Sequence, residues 1–331
     1  MNKISVILAA CKGEKYIGEQ LRSLFAQTRL PDEILIGDDS PDGATKQAID
    51  AVAPECPKHC RLDYRRNPER LGFLQNFLSL AKRAQGDLIF FCDQDDVWLP
   101  EKIAILTNDL EKHPDFDVSI CDSAFCDSNL IPTGASLFAR MKNPEMDILQ
   151  INSHHAHPII LSNVYFINGH NICMRRRALP IFLAIPPDFT YHDIWITHAF
   201  SMIEKIRLVH QILTYYRIHQ TNTSGIPKSF SIFKRGFEIF QKSRGADFQE
   251  ELQRYLACRK TVLSVVPLKE IPKESINFLH KKVAFCKWRF RLHSISLFCR
   301  IFCFNRDTIN HYRKYTMNWK YSLLRDLFSL N

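Results

Sequence analysis

Short apolar runs alternate along the first 125 residues with stretches whose apolar positions recur every three or four residues. "KISVILAA" at 3–10 reads as a strand, and Glu14 to Gln27 as a helix with Ile17, Leu21, Leu24 and Phe25 on one face. "EILIGDD", "RLDYRR", "DLIFFCD" and "DVSICD" read as four further strands. "FLQNFLSLAKRA" and the stretch from Pro100 to Glu111 read as helices between them. Strands alternating with helices predict a mostly parallel α/β sheet flanked by helices on both faces. Such sheets bind ligands beyond the carboxyl ends of their strands. Asp38 and Asp39 end the second predicted strand, and Asp93, Asp95 and Asp96 end the fourth. A solvated loop is the plain alternative for either cluster; two clusters on one predicted edge point to a site.

The remaining pattern changes character. From Ile226 onward 21 lysines and arginines face 8 carboxylates, a net of +13, whereas the preceding residues carry 23 against 27, a net of −4. This predicts an acidic body over residues 1–225 and a basic, aromatic-rich helical extension over 226–331. No uninterrupted apolar stretch approaches the roughly 18 residues of a membrane span. The opening residues lack a signal-peptide core, so a cytoplasmic location is expected. The 11 cysteines are odd in number and several sit inside apolar runs, as small hydrophobes do. "CPKHC" at 56–60 and "HHAH" at 154–157 offer zinc-ligand types without a second half at recognised spacing.

The first turn, "AACKGEKY", has neither the G-x-G-x-x-G fingerprint nor the P-loop lysine pattern, which argues against dinucleotide and P-loop chemistry. Without amides to cradle a diphosphate, a divalent cation on carboxylates is the natural substitute. Hard oxygen ligands suit Mg²⁺ or Mn²⁺.

Five blocks, in order, resemble the family-2 inverting glycosyltransferases of GT-A type, in particular their rhamnosyltransferase-like branch. "ISVILAACKGEKYIGEQLRSLFAQTRLPDEILIGDDSPDGAT" is similar to the nucleotide-receiving opening of that family. "NPERLGFLQNFLSLAKRAQGDLIFFCDQDDVWLPEKI" resembles the block that ends in its D-x-D metal motif. "NVYFINGHNICMRRRAL" resembles an acceptor-lining strand and turn, "YHDIWITHAF" the acidic helix start, and "ILTYYRIHQTNTSG" the closing element near the diphosphate. The resemblance implies a GT-A domain over 1–225, with a nucleotide-sugar part to about 125 and an acceptor part from 126. It implies that Ala9, Cys11, Glu14, Asp38, Asp39, Arg70, Asp93, Asp96 and Arg217 serve the nucleotide-sugar donor, with Asp39 on the base. Asp96 has a second reading as a cap of the "PEKI" helix. The metal falls to Asp95 and Asp93, with His219 as a further ligand; Asp193 becomes the general base. Gly169, His170, His192 and Trp195 would line the acceptor. Cys11-Lys12 and Ser40-Pro41 depart from the family's usual aromatic-polar and Gly-Ser pairs.

The implied chemistry is displacement at an anomeric carbon by an acceptor hydroxyl. A cation on the carboxylates offsets the departing diphosphate, and a carboxylate opposite removes the acceptor proton. Expected partners are a nucleotide-sugar (a dTDP-rhamnose or UDP-hexose type) and a glycan or lipid-linked acceptor in surface polysaccharide assembly. The basic extension suits either packing on the catalytic domain or an anionic membrane on the inner face of the cell membrane. It carries no recognised nucleic-acid motif. Two alternatives stand beside this reading. One is a nucleotidyltransferase, for which "AACKGEKY" is a poor nucleotide loop; the other is a catalytically weak scaffold binding nucleotide-sugar or membrane.

Overall fold

The computed structural model describes residues 2–140, 167–187, 189–219, 245–292 and 305–315, with Cys303 and Leu323. The "HHAH" stretch and most of residues 220–244 and 293–331 lie outside the described residues.

Nine strands form one sheet in the order β3-β2-β1-β4-β8-β6-β9-β5, with β7 beside β6. The first four are β1 (Ile4–Ala10), β2 (Glu33–Asp38), β3 (Arg61–Arg66) and β4 (Leu88–Asp93). They pair in parallel, as the alternation predicts. Their apolar side chains divide by parity. Ile7, Leu35, Ile89 and Phe91 face one core, while Val6, Leu8, Ile34, Ile36, Phe90 and Cys92 face the other. Burial on both faces is why these strands read as continuous apolar runs.

Helices α1 (Ile17–Phe25), α2 (Ala44–Val52) and α4 (Lys102–Lys112) cover the second core, and α3 (Phe73–Arg83) covers the first. Helix α2 is absent from the sequence reading. Its apolar stripe is thin, with only Thr45, Ile49 and Val52 buried.

Beyond α4 the sheet becomes mixed. β6 (Val118–Cys126) runs parallel to β9 (Ile206–Arg217) and antiparallel to β8 (Ile172–Arg175), which returns beside β4. The two-residue β5 (Val97–Trp98) pairs antiparallel with β9, and β7 (Pro132–Ser136) with β6. A wholly parallel sheet is therefore not what forms. Helix α5 (Leu179–Leu183) and α6 (His192–Met202) follow β8.

The C-terminal helices α7 (Gly245–Val265), α8 (Lys273–Leu292) and α9 (Arg306–Tyr315) do not stand apart from this body. Tyr255, Cys258 and Val262 of α7 share a core with Ile196, Ala199 and Phe200 of α6. Tyr255 also meets the His198 ring at 5.2 Å. Among the described residues no helix is long and apolar enough to cross a membrane.

Candidate active site

The register sets the ends of β1, β2 and β4 level. Ala10 lies opposite Asp38, and Ala9 opposite both Gly37 and Asp93. Three turns leave this edge, and side chains lash them together. Gln94 accepts the Cys11 N–H at 2.8 Å through Oε1 and donates its Nε2 to the Cys11 carbonyl at 3.0 Å. Gly13 permits this: a Cβ there would stand 2.3 Å from Gln94 Oε1. Ser40 Oγ donates to Asp38 at 2.5 Å and accepts the Lys12 N–H at 2.8 Å. Thr45 Oγ1 accepts the Gly13 N–H at 2.9 Å. Thus Ser40, where the resemblance has a departure, ties β2 to the first turn. Lys12 holds a left-handed φ of 53°, and Cys11 and Lys12 line a cavity of about 450 Å³ with Asp39, Arg66, Asn67 and Arg70.

Asp39 is the anchor of that cavity. It accepts the Asn67 side chain at 2.8 Å and the backbone N–H groups of Leu71 and Gly72 at 3.1 and 2.8 Å. Glu14 is exposed, with Thr45 Oγ1 3.4 Å from its carboxylate. Ala9, half-buried, lies at the strand edge below. Asp38 departs from its expected donor contact: it is fully buried, held by Ser40 and by Tyr64 Oη at 2.8 Å, and positions the turn instead.

The three aspartates after β4 are inequivalent. Asp95 Oδ2 lies 2.9 Å from His219 Nε2, both side chains retaining some exposure. Asp93 keeps two fifths of its side chain exposed and approaches His170 Nδ1 at 3.3 Å. Asp96 is fully buried, accepts the Arg217 N–H at 3.0 Å and stands 3.0 Å from His170 Nδ1. It therefore neither reaches a donor sugar nor caps α4, whose N-cap is Glu101. Burial, with Asp95 and Asp93 beside it, pushes the Asp96 carboxyl up. Burial opposes charge on His170, but Asp96 and Asp93 outweigh it and raise the imidazole pKa. Asp93 is held below its ordinary value by His170 despite its own desolvation.

Two donor sets could receive a cation. Asp93, Asp96 and His170 bring three ligand atoms within 4.8 Å of one another. With Asp96 and His170 buried, only Asp93 opens to the cleft, leaving little room for substrate oxygens. Asp95 and His219 fit better. Ligand atoms about 2.1 Å from an octahedral cation and at right angles to each other sit roughly 3 Å apart, close to the 2.9 Å observed.

Arg217 does not point at a leaving group. Its side chain is 3% exposed and donates to the carbonyls of Asp95 and Ser128 at 2.8 and 2.7 Å and to the Glu19 carboxylate. It braces the Asp95 turn from behind. Lys102, unremarked in the sequence, does the same from below. It is fully buried over the Trp98 ring and donates to the His170 carbonyl at 2.6 Å and Thr214 Oγ1 at 2.7 Å. In the sequence it resembles any lysine of a helix first turn.

On the opposite wall, Asp193 opens α6 half-buried, its Oδ1 accepting the Ile194 N–H at 2.7 Å. Burial pushes its carboxyl above the ordinary value, against the opposing influence of His192. The expected acceptor residues sit behind it. His192 is 5% exposed, stacked on Phe91 at 5.3 Å and against Phe77 at 4.4 Å, with neither ring nitrogen hydrogen-bonded. Burial lowers its pKa. Gly169 makes the room, since a Cβ would fall 2.2 Å from His192 Nε2. Trp195 is fully buried and donates to the Ile181 carbonyl at 3.1 Å. These residues, with buried His170, form a floor rather than an acceptor surface.

A curled mixed sheet with nucleotide-type turns at one edge and a D-x-D-like cluster defines a GT-A fold. Residues 5–180 match the profile of "Glycosyl transferase family 2", and the chain belongs to that family. An uncharacterized protein of Mycobacterium tuberculosis is 31% identical over 117 residues, 35% of this chain. An uncharacterized glycosyltransferase of Nostoc sp. is 30% identical over 102 residues, 30% of each chain. The matched stretch spans about a third of the length of these curated relatives, 33% and 30%. Among solved structures, S. aureus TarS 1-349 with UDP-GlcNAc superposes at a TM-score of 0.54 and 17% identity, covering 97% of this chain and 92% of that one. A Pyrobaculum calidifontis mannosyltransferase with GDP-Man and Mn²⁺ does so at 0.52 and 14%, covering 98% and 86%. These likenesses show the fold.

Proposed function

We propose that the chain is a metal-dependent, inverting glycosyltransferase that passes a sugar from a nucleotide-sugar to a hydroxyl of a glycan or lipid-linked acceptor. The observation that carries this reading is the Asp95–His219 pair at the open edge of the sheet, beside a cavity anchored by Asp39. Asp39 and Arg70 take the nucleoside end, and Cys11 and Glu14 lie along its path. Asp95 and His219, with Asp93 adjacent, would hold Mn²⁺ or Mg²⁺. Bound there, the cation would supply Lewis-acid stabilisation to diphosphate oxygens. Asp193 removes the acceptor proton from the other wall; its raised pKa makes it a stronger base than an ordinary carboxylate. Relatives of known structure bind UDP-GlcNAc, or GDP-Man with Mn²⁺, which supports a nucleotide-sugar donor of either base class.

Surface polysaccharide assembly, a rhamnose or hexose donor and work at the inner face of the cell membrane belong to the same proposal. The exposed Leu263, Val265 and Leu268 near the α7–α8 turn, beside Lys269 and Lys273, support the membrane part. Flotation on anionic vesicles at low salt tests it; no lipid-dependent association would remove it. For the reaction, thermal shift with UDP-, dTDP- and GDP-sugars plus Mn²⁺ identifies the donor. Nucleotide release by wild type but not by Asp193→Asn is expected. Near-normal release by that variant would refute the assignment of the base.

A further inference from the structure

Aromatic rings are the usual surface on which a protein holds the apolar face of a sugar. The two tryptophans nearest the site motifs are unfit for this, since Trp98 and Trp195 are 2% and 0% exposed. The exposed ring lies elsewhere. Tyr191, immediately before His192-Asp193, is 40% exposed. Its ring meets that of half-buried Phe73 at 5.4 Å and 30°.

This pair is the outer end of a continuous aromatic column. Phe73 lies 6.4 Å from His192, His192 stacks on Phe91, and Phe91 meets Phe182 edge-on at 5.3 Å in the core. Gly72, at a φ of 78°, turns the chain into α3 so that Phe73 opens the helix. The same Gly72 N–H is held by Asp39. The ledge is thus tied to Asp39 through Gly72, and Tyr191 is the N-cap of α6, two residues before Asp193. The outer face of the Tyr191 ring stays open to solvent while its inner face rests on Phe73.

We propose that Tyr191 and Phe73 form the acceptor subsite, taking the apolar face of a pyranose and setting its hydroxyl beside Asp193. This rests on the glycosyl-transfer reading and adds the substrate class: a saccharide, bound through ring C–H groups, as opposed to a lipid or peptide hydroxyl.

The test uses the full chain and methyl glycosides of glucose, galactose, N-acetylglucosamine and rhamnose, followed by saturation-transfer NMR. At least one should receive saturation on the protons of one ring face. Tyr191→Ala should weaken that glycoside about tenfold, and Tyr191→Phe, which keeps the ring, by no more than about twofold. Phe73→Leu stays apolar but removes the second ring, and should also weaken it. The donor-induced thermal shift should be the same in Tyr191→Ala as in wild type. Saturation of no glycoside by wild type, or equal affinity in Tyr191→Ala, overturns the subsite. Absence of any nucleotide-sugar shift in wild type, with glycoside binding intact, would instead sink the transferase reading and leave Tyr191 and Phe73 as a saccharide site with no acceptor role.

Discussion

The Gln94 bridge gives the sharpest test of how this site is held. A Gly13→Ala methyl would press on Gln94 Oε1 at 2.3 Å, and the three nearest atoms all belong to Gln94. No other group crowds the position, and Gly13 is not among the glycines of positive φ. The amide must swing away, which breaks both bonds to Cys11. Each neutral hydrogen bond is worth about 0.5–1.5 kcal/mol net, so the pair amounts to about 1–3 kcal/mol. Gln94→Ala should cost a similar amount. The double variant is decisive: with Gln94 truncated, the methyl has space, so Gly13→Ala should then cost only a few tenths of a kcal/mol. The expected coupling is thus about 1–2 kcal/mol, well above the scatter of independent sites. Urea unfolding of the four proteins measures the cycle, and donor-induced thermal shift reports whether the loosened turn weakens nucleotide binding. Additive costs would refute the claim that Gly13 acts through Gln94.

Further outcomes are expected. Asp193→Asn should reduce turnover about 10²–10⁴-fold. Because the folded carboxyl titrates above its unfolded value, ionising it costs stability as pH rises. The variant should therefore melt higher than wild type at pH 7, with the gap closing below the unfolded pKa; a lower melting point at pH 7 would contradict the raised pKa. In wild type the acid limb of kcat/KM should lie above the ordinary aspartate range. EDTA and Asp95→Ala should each abolish the donor-induced thermal shift, and a shift surviving both would refute a cation at that pair. Trp195→Ala should destabilise by about 3–5 kcal/mol, with no acceptor-specific effect in whatever protein folds. Chain ending at residue 225 should lose its monomeric peak in gel filtration, since the α6 face that meets Tyr255, Cys258 and Val262 becomes exposed.

The parallel half of the sheet was legible because strands buried on both faces leave an unmistakable mark in sequence, while Thr45, Ile49 and Val52 alone make too thin a stripe to announce α2. The mixed half was not, because strand direction leaves no such mark; β8 has the apolar "ICM" of any buried strand. The acidic edge was readable as an edge, but the differing fates of Asp93, Asp95 and Asp96 were not. Those depend on His170 and His219, which arrive from 74 to 124 residues away. Arg217 and Lys102 look in sequence like cations free to meet a ligand, and only tertiary packing shows them holding carbonyls. Trp195, expected to line the acceptor, is core for a related reason: a large aromatic in a motif is as readily core as surface.

The shared interior of α6 and α7 has a consequence for the order in which this protein is made. The ends of β1, β2 and β4 lie within residues 4 to 93, and domains tend to form N-terminal first during synthesis. Helix α6 meets Ile181 and Phe91 first, and gains Tyr255, Cys258 and Val262 only when residues 255–262 have been translated. The nascent chain therefore forms the strand ends at Asp38 and Asp93 before α6, and with it Asp193, is fully packed.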